Sequence, residues 1–590
     1  MSPVARLVAL LTAAATLLVP LFVPSGSIVL LACYIGMAAL VAIGLVVLTG
    51  VGGMTSFGQA ALMGVGSYTT AILCLNYGWS AWSALPVALV SSGLASLVLG
   101  LMTIRLSGHF LPLGTIAWGL AIYYYFGASS TLGGYGGLSG IPPLSIGSIS
   151  LVDPRDFYPV IWAAVALVVV LTLNLLDSRP GRVIRSLRTG RTVVEAFGAN
   201  TARLKLFVFV YAGVLAGLSG WLYALFLRAV SSSPFGLSAG IEYLLMAVIG
   251  GAGNVFGAIF GAAAVILARN YLQDLMPLIF GSGGNYHIIV FGMILVLLLV
   301  RSPDGVWPMI MRRLTFLFPK SAKPQASAAR LEISQKPRGE GAILKVRALE
   351  KRYGGLVAVN NVHFDVEAGS IVGLIGPNGA GKSTTFNLIT GIVHPSSGQV
   401  DFLGEAIGRL SSRAIASRRI ARTFQHVKLV NDMSVLENVS VGAHLRSSAG
   451  PIRSMFRLNR NEERKIRGEA MSALERVGLA DVAHLETGSL ALGQMRVIEI
   501  ARALCMDPVL LLLDEPAAGL RYQEKQSLLV LLRSLAAEGV TILIVEHDMQ
   551  FVMDLTDHLI VLNFGTKLAE GRPEAIRNDP AVLAAYLGVE

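Results

Sequence analysis

The stretch Gly376-Pro377-Asn378-Gly379-Ala380-Gly381-Lys382-Ser383-Thr384 constrains the fold of this chain more than any other. It follows the apolar run Ile371-Val372-Gly373-Leu374-Ile375 and precedes the helix-like run Thr385-Phe386-Asn387-Leu388-Ile389. Strand, glycine-rich loop, Lys-Ser and helix in this order is the P-loop of an α/β nucleotide-binding domain. Glycines let backbone N–H groups curl around phosphate oxygens, and the helix presents its N-terminus to the same charge. Lys382 can reach the β- and γ-phosphates, and the Ser383 hydroxyl can bind Mg²⁺.

One such domain does not account for 590 residues. Hydrophobic residues make up 54% of the chain, which is high for a soluble protein. They are unevenly placed. Residues 1–300 are mostly apolar, while 343–590 have the charge content of a soluble domain. The split predicts a membrane half followed by a cytosolic half. The net charge of +11 admits nucleic acid as a partner. Its concentration in one loop and one linker beside apolar runs favours membrane lipid instead, and no nucleic acid. The three cysteines, Cys33, Cys74 and Cys505, lie far apart and have no metal-ligand spacing.

Apolar runs at 7–23, 28–48, 57–76, 84–103, 110–126 and 158–176 approach the length of about 20 residues needed to cross the hydrocarbon. Arginines then follow at 179, 182, 185, 188 and 191. A three-residue step spreads them round a helix axis as a broad basic band, which the positive-inside rule places in the cytoplasm. Counting back puts Arg6, Arg105 and His109 on the same side, and Tyr77, Trp79 and Trp82 at the outer interface. Run 206–227 crosses outward. Run 241–267 is broken by Gly250-Gly251-Ala252-Gly253-Asn254, and irregular backbone at that depth must be covered by protein or line a water-filled cavity. Run 287–300 crosses back. Eight or ten crossings satisfy the parity, and the broken run favours ten. The expected fold is therefore a polytopic α-helical membrane domain (1–301), a basic cytoplasmic linker (302–342) and an α/β P-loop ATPase domain (343–590).

The soluble half holds the partners a P-loop needs. Val509-Leu510-Leu511-Leu512-Leu513-Asp514-Glu515 reads as a buried strand ending in two carboxylates. Asp514 can hold Mg²⁺ beside Ser383, and Glu515 is placed to orient or deprotonate a water. Thr541-Ile542-Leu543-Ile544-Val545-Glu546-His547 is a second such strand, and His547 could contact a γ-phosphate. Gln425 is a weak signal alone and gains weight in this company. Leu490-Ala491-Leu492-Gly493-Gln494 precedes an amphipathic helix expected over 495–504, a second anion-facing element. Two such elements on one chain suggest two nucleotides shared across a dimer.

In this order the motifs resemble the ATPase of ABC transporters. Walker A is at 376–384, the Q-loop at Gln425, the signature at 490–494, Walker B at 510–515 and the switch histidine at His547. Glu515-Pro516-Ala517-Ala518-Gly519-Leu520 and the tail Ala585-Tyr586-Leu587-Gly588 are similar to the LivG-type ATPase of branched-chain amino-acid importers. Ser56-Phe57-Gly58-Gln59-Ala60-Ala61, Ala196-Phe197-Gly198-Ala199-Asn200 and Val248-Ile249-Gly250-Gly251 resemble its LivM-type permease.

The resemblance implies ATP and Mg²⁺ as cofactors, with Ser383, Asp514 and Gln425 around the metal. Tyr353 would stack on adenine, and Leu490, Ala491, Leu492, Gly493 and Gln494 would face the partner's ATP. Arg182, Arg185, Arg188, Arg191, Glu195 and Gly198 would form the coupling loop that docks on the ATPase. It also implies import across a bacterial cytoplasmic membrane with the ATPase inside. The expected partners are a second permease and a second ATPase, separate or fused, and an external solute-binding protein. Importers of urea, short amides or aromatic acids share this build, and an exporter half or an ATP-gated channel are the rival classes. Ala491 replaces the usual signature serine, and Arg521 stands at the D-loop aspartate position. Both departures point to two unequal ATP sites.

Overall fold

The structure is a computed structural model and describes residues 25–103, 106, 110–280, 286–302, 305–314, 330–332, 336 and 341–587. The apolar run 7–23, Arg105, His109, most of the basic linker and Gly588 lie outside the described residues. The chain divides into two compact units. One is built from the chain before Asp177 and from Ala202 on to the linker; the other comprises Asp177–Thr201 with the C-terminal part.

The first unit is helical. Among the described residues, five helices are long and apolar enough to cross a membrane: Gly26–Val51, Ala81–Thr103, Pro154–Leu176, Thr201–Leu227 and Val255–Ile279. The runs expected at 57–76 and 110–126 form Gln59–Asn76 and Phe110–Ala128, and the run at 287–300 forms Tyr286–Arg301. The first of these helices ends in a π-helical turn, Val46–Val51. Irregular backbone follows up to Gly58, where Gln59–Asn76 begins.

The broken run at 241–267 is two helices, Leu237–Gly251 and Val255–Phe280. Asn254 starts the second by accepting the Phe256 N–H at 2.9 Å. Glycine brings the two together. A Cβ on Gly250 would lie 1.8 Å from the Gly257 carbonyl oxygen, and one on Gly261 would lie 1.9 Å from that of Met246. Small residues permit this backbone-to-backbone approach, the usual basis of helix contact in lipid. Glu242 sits within the first of these helices and pairs with Arg269 at 2.9 Å.

The second unit holds a six-stranded sheet in the order Ile420–Arg422, Leu510–Asp514, Thr541–Val545, Ile371–Ile375, His558–Asn563 and Thr566–Gly571. All neighbours are parallel except the last pair. The three central strands are buried along their whole length, as parallel strands covered on both faces must be. A four-stranded antiparallel sheet, led by Leu356–Glu367 and Ala342–Tyr353, shares a core with it through Val346, Phe364, Leu374, Phe386 and Leu512. A helical part follows, with Val435–Ser440, Arg460–Arg476 and Leu492–Leu504. The last begins three residues earlier than expected, so Leu492, Gly493 and Gln494 form its first turn.

Candidate nucleotide site and docking segment

The parallel register sets the site. Asp514 pairs with Val545, and Val545 with Leu374, so three strands end side by side where the P-loop begins. Ligands of open α/β sheets bind off this edge. Two glycines are required by their surroundings. Gly376 has φ of 150° and would press a Cβ to 2.1 Å from the Leu562 carbonyl oxygen; Gly381 has φ of 95° and would press one to 2.5 Å from that of Ala358. Lys382 folds back on this loop and donates to the carbonyls of Gly376 at 2.7 Å and Pro377 at 2.9 Å. Burial lowers its pKa, against the opposing pull of Glu515 and Asp514.

Glu515 has a left-handed backbone, φ 49°, which is uncommon for a non-glycine residue and tends to mark functional sites. Its backbone is held on both sides: its N–H donates to the Val545 carbonyl at 2.9 Å, and its own carbonyl accepts from Arg496 at 2.7 Å. The Gln425 amide donates to its Oε2 at 3.2 Å, and His547 Nδ1 lies 3.8 Å from the same oxygen. Three residues predicted separately therefore meet at one carboxylate oxygen. Behind them Glu546 is fully buried and accepts the Ala517 N–H at 2.6 Å and the His547 N–H at 3.1 Å. Burial raises its pKa.

Asp514 has a partner that no local sequence pattern marks. Arg422 Nη2 binds its Oδ2 at 2.9 Å, with the two side chains 6% and 4% exposed. The other end of this guanidinium donates to Asn387 at 2.7 Å and Thr390 at 3.0 Å, on and just beyond the P-loop helix. It also lies 5.8 Å from the Phe386 ring centroid and 5.4 Å from that of Phe424. Asp514 Oδ1 is buried with no partner among the described residues, and Ser383 is exposed. A free carboxylate oxygen and an accessible hydroxyl at one sheet edge fit Mg²⁺, a hard cation that prefers oxygen ligands. Tyr353 is half-exposed, with Lys351 Nζ 5.2 Å above its ring.

The arginine-rich segment belongs to this same unit. It is not one continuous basic helix. Helix Arg179–Ser186, the turn Leu187–Thr189 and helix Arg191–Ala196 are separated by Gly190 at φ 123°. Four of its five arginines each face an acid. Arg182, 1% exposed, binds Glu463 at 2.8 Å. Arg185 faces Glu437 at 3.6 Å, Arg188 faces Asp432 at 3.4 Å, and Arg191 pairs with Glu195 at 2.7 Å. Arg179 donates to the carbonyl of His444 at 3.0 Å. Beside it His444 is half-buried with its Nδ1 shielded from solvent, and desolvation together with Arg179 and Arg182 pushes its pKa down to about 3. Gly198, at φ 81°, leaves room for Leu445, and the Arg502 guanidinium covers the Phe197 ring at 4.7 Å.

Fold and site together define an ABC-type transporter ATPase joined to a helical permease. Residues 27–299 match the family described as branched-chain amino acid transport system / permease component. Residues 359–518 match ABC transporter, and 566–590 match branched-chain amino acid ATP-binding cassette transporter. The high-affinity branched-chain amino acid transport ATP-binding protein BraF of Pseudomonas aeruginosa is 44% identical over 42% of this chain and 98% of its own length. LivG of Escherichia coli, of the same description, is 42% identical over 42% and 98%. A solved nucleotide-free ATP-binding cassette from an ABC transporter is 32% identical over 42% of this chain and 99% of its own, with a TM-score of 0.38. The chain belongs to the branched-chain amino acid ABC transporter family. Its permease helices make it a membrane protein, and its cassette binds ATP.

Proposed function

We propose that the chain is the permease–ATPase half of an importer for branched-chain amino acids, with residues 1–301 as permease, 302–342 as linker and 343–590 as cassette. The observation that carries this is the meeting of Gln425, Glu515 and His547 at one carboxylate oxygen beside the P-loop, in the unit that also holds the arginine-rich segment. Mg²⁺, held by Ser383, Asp514 and Gln425, would draw charge from the β- and γ-phosphate oxygens when ATP is bound.

In this reading Lys382 leaves the Gly376 and Pro377 carbonyls for the phosphates, as the P-loop backbone does the same from its N–H groups. Tyr353 stacks on adenine. Glu515 takes the proton of the attacking water, and His547 and Gln425 hold that water and the γ-phosphate in line. Residues 490–494 close on ATP held by a second cassette. The segment with Arg182, Arg185, Arg188, Arg191, Glu195 and Gly198 carries the closure to the permease. ATP binding and hydrolysis favour different permease states, which is what net transport requires. A second permease, a second cassette and an external solute-binding protein complete the transporter in a bacterial cytoplasmic membrane, with the cassette inside. The branched-chain amino acid transport for which BraF and LivG are named supports these substrates over urea, amides or aromatic acids.

The test is uptake of radiolabelled L-leucine into proteoliposomes holding the assembled transporter, binding protein and trapped ATP. Accumulation above the outside concentration is expected, and Lys382→Ala should abolish it. Equilibration without accumulation would point to a channel.

A further inference from the structure

The permease unit contains a buried polar side chain that nothing among the described residues satisfies. Gln59 is 1% exposed, and neither its Oε1 nor its Nε2 has a hydrogen-bond partner among the described residues. A buried amide left unpaired costs the fold its full desolvation penalty, so an apolar residue there would be cheaper for the fold alone.

Its place in the fold says what would satisfy it. Gln59 is the first residue of the 18-residue helix Gln59–Asn76, whose N-cap, Gly58, supplies no side-chain acceptor and whose first turn holds no acid. Side chains lean toward a helix's N-terminus, so this carboxamide extends toward the uncapped end. A second helix starts against it. Gly240, in the first turn of Leu237–Gly251, would place a Cβ 2.3 Å from the Phe57 carbonyl oxygen and 3.9 Å from the Ala60 Cβ. That helix also has no side-chain cap and no acid in its first turn. The nearest acid along it, Glu242, is engaged by Arg269. Two helix N-termini and an amide donor thus converge where the backbone between Val51 and Gln59 is irregular, an arrangement that favours a negative ligand.

We infer that the start of helix Gln59–Asn76, with the Gln59 carboxamide, is a carboxylate site on the transport path, and that it receives the α-carboxylate of an amino acid. The inference rests on the import reading above. The amide is sealed in this conformation, so the site opens with the change of state that transport requires. Gln59 Nε2 would donate to the carboxylate alongside the first-turn backbone N–H groups, which the N-cap side chain does not satisfy.

The test compares Gln59→Leu and Gln59→Glu with the unaltered chain. L-leucine uptake by the assembled transporter gives KM and maximal rate, and the full chain in detergent gives the melting temperature. Gln59→Leu should melt at the same temperature or higher and yet raise KM at least tenfold. Gln59→Glu should depress uptake further, because it sets a negative group against the carboxylate. An unchanged KM in Gln59→Leu overturns the assignment. So does a melting temperature lowered by several degrees, which would make Gln59 a structural residue. If the unaltered transporter takes up no L-leucine, the import reading fails first and this site falls with it.

Discussion

Lys382 in the cassette and Gln59 in the permease are both buried polar side chains at the start of a helix, and they differ in how they are satisfied. Lys382 is held by two carbonyls of its own loop. Gln59 is held by none among the described residues. The cassette therefore keeps an internal substitute for its ligand and needs only an exchange of partners when nucleotide arrives. Arg422 does the same for Asp514, standing as the cation at one carboxylate oxygen while the other stays free. Among the described residues the permease holds no such substitute for Gln59.

The sharpest way to break this comparison is at the catalytic edge. Glu515→Gln should lower ATP turnover by about 10²–10⁴-fold, the range for loss of a general base, with nucleotide binding retained by equilibrium dialysis. If the two composite sites are unequal, as Ala491 and Arg521 suggest, the equivalent change in the partner cassette should cost a different amount. Equal losses would remove the asymmetry. Arg422→Gln comes next. It leaves Asp514 buried and uncompensated, so denaturant unfolding of the full chain should lose about 3–5 kcal/mol, partly recovered by added Mg²⁺ and ATP. No loss would mean that Asp514 does not depend on Arg422.

The docking segment sharpens the same contrast at lower energy. Arg182→Glu should uncouple ATP hydrolysis from uptake, and Arg182→Glu with Glu463→Arg should restore part of the coupling. His444 predicts a pH signature. Its folded pKa of about 3 lies below the ordinary imidazole value of 6.5. The unfolded chain therefore takes up a proton below pH 6.5 that the folded chain refuses until near pH 3. This contribution is flat above pH 6.5 and destabilises as pH falls, by about 2 kcal/mol at pH 5. His444→Gln should remove that share of the loss between pH 7 and 5. The smallest effect belongs to Arg188 and Asp432, half-exposed on both sides. Arg188→Ala should change stability by under about 0.5 kcal/mol.

What the sequence made legible follows from the same physics. The P-loop, Glu515 and His547 announce themselves because phosphate chemistry fixes residue type and spacing within a few positions, and sheet register then brings them together. Arg422 carries no such local mark, since its role depends on Asp514, 92 residues away. The sequence puts the start of the signature helix three residues late because Leu492, Gly493 and Gln494 look like a turn until Glu524 and Leu520 are seen beside Gly493. The arginine run reads as a basic band because a period of three ignores the break at Gly190; the fold instead gives most of the arginines their own acid. In the permease, apolar length shows where helices run, but Gln59 stands in a family-like stretch whose role emerges only when Gly240 is found beside it.

The central claim is that ATP hydrolysed at Glu515 drives accumulation through the permease of this chain. The most direct measurement is the ratio of L-leucine inside to outside proteoliposomes of the assembled transporter, with ATP trapped inside, for the unaltered chain and for Glu515→Gln. The expected ratio is well above one for the first and no higher than one for the second. Equal accumulation by both would contradict it.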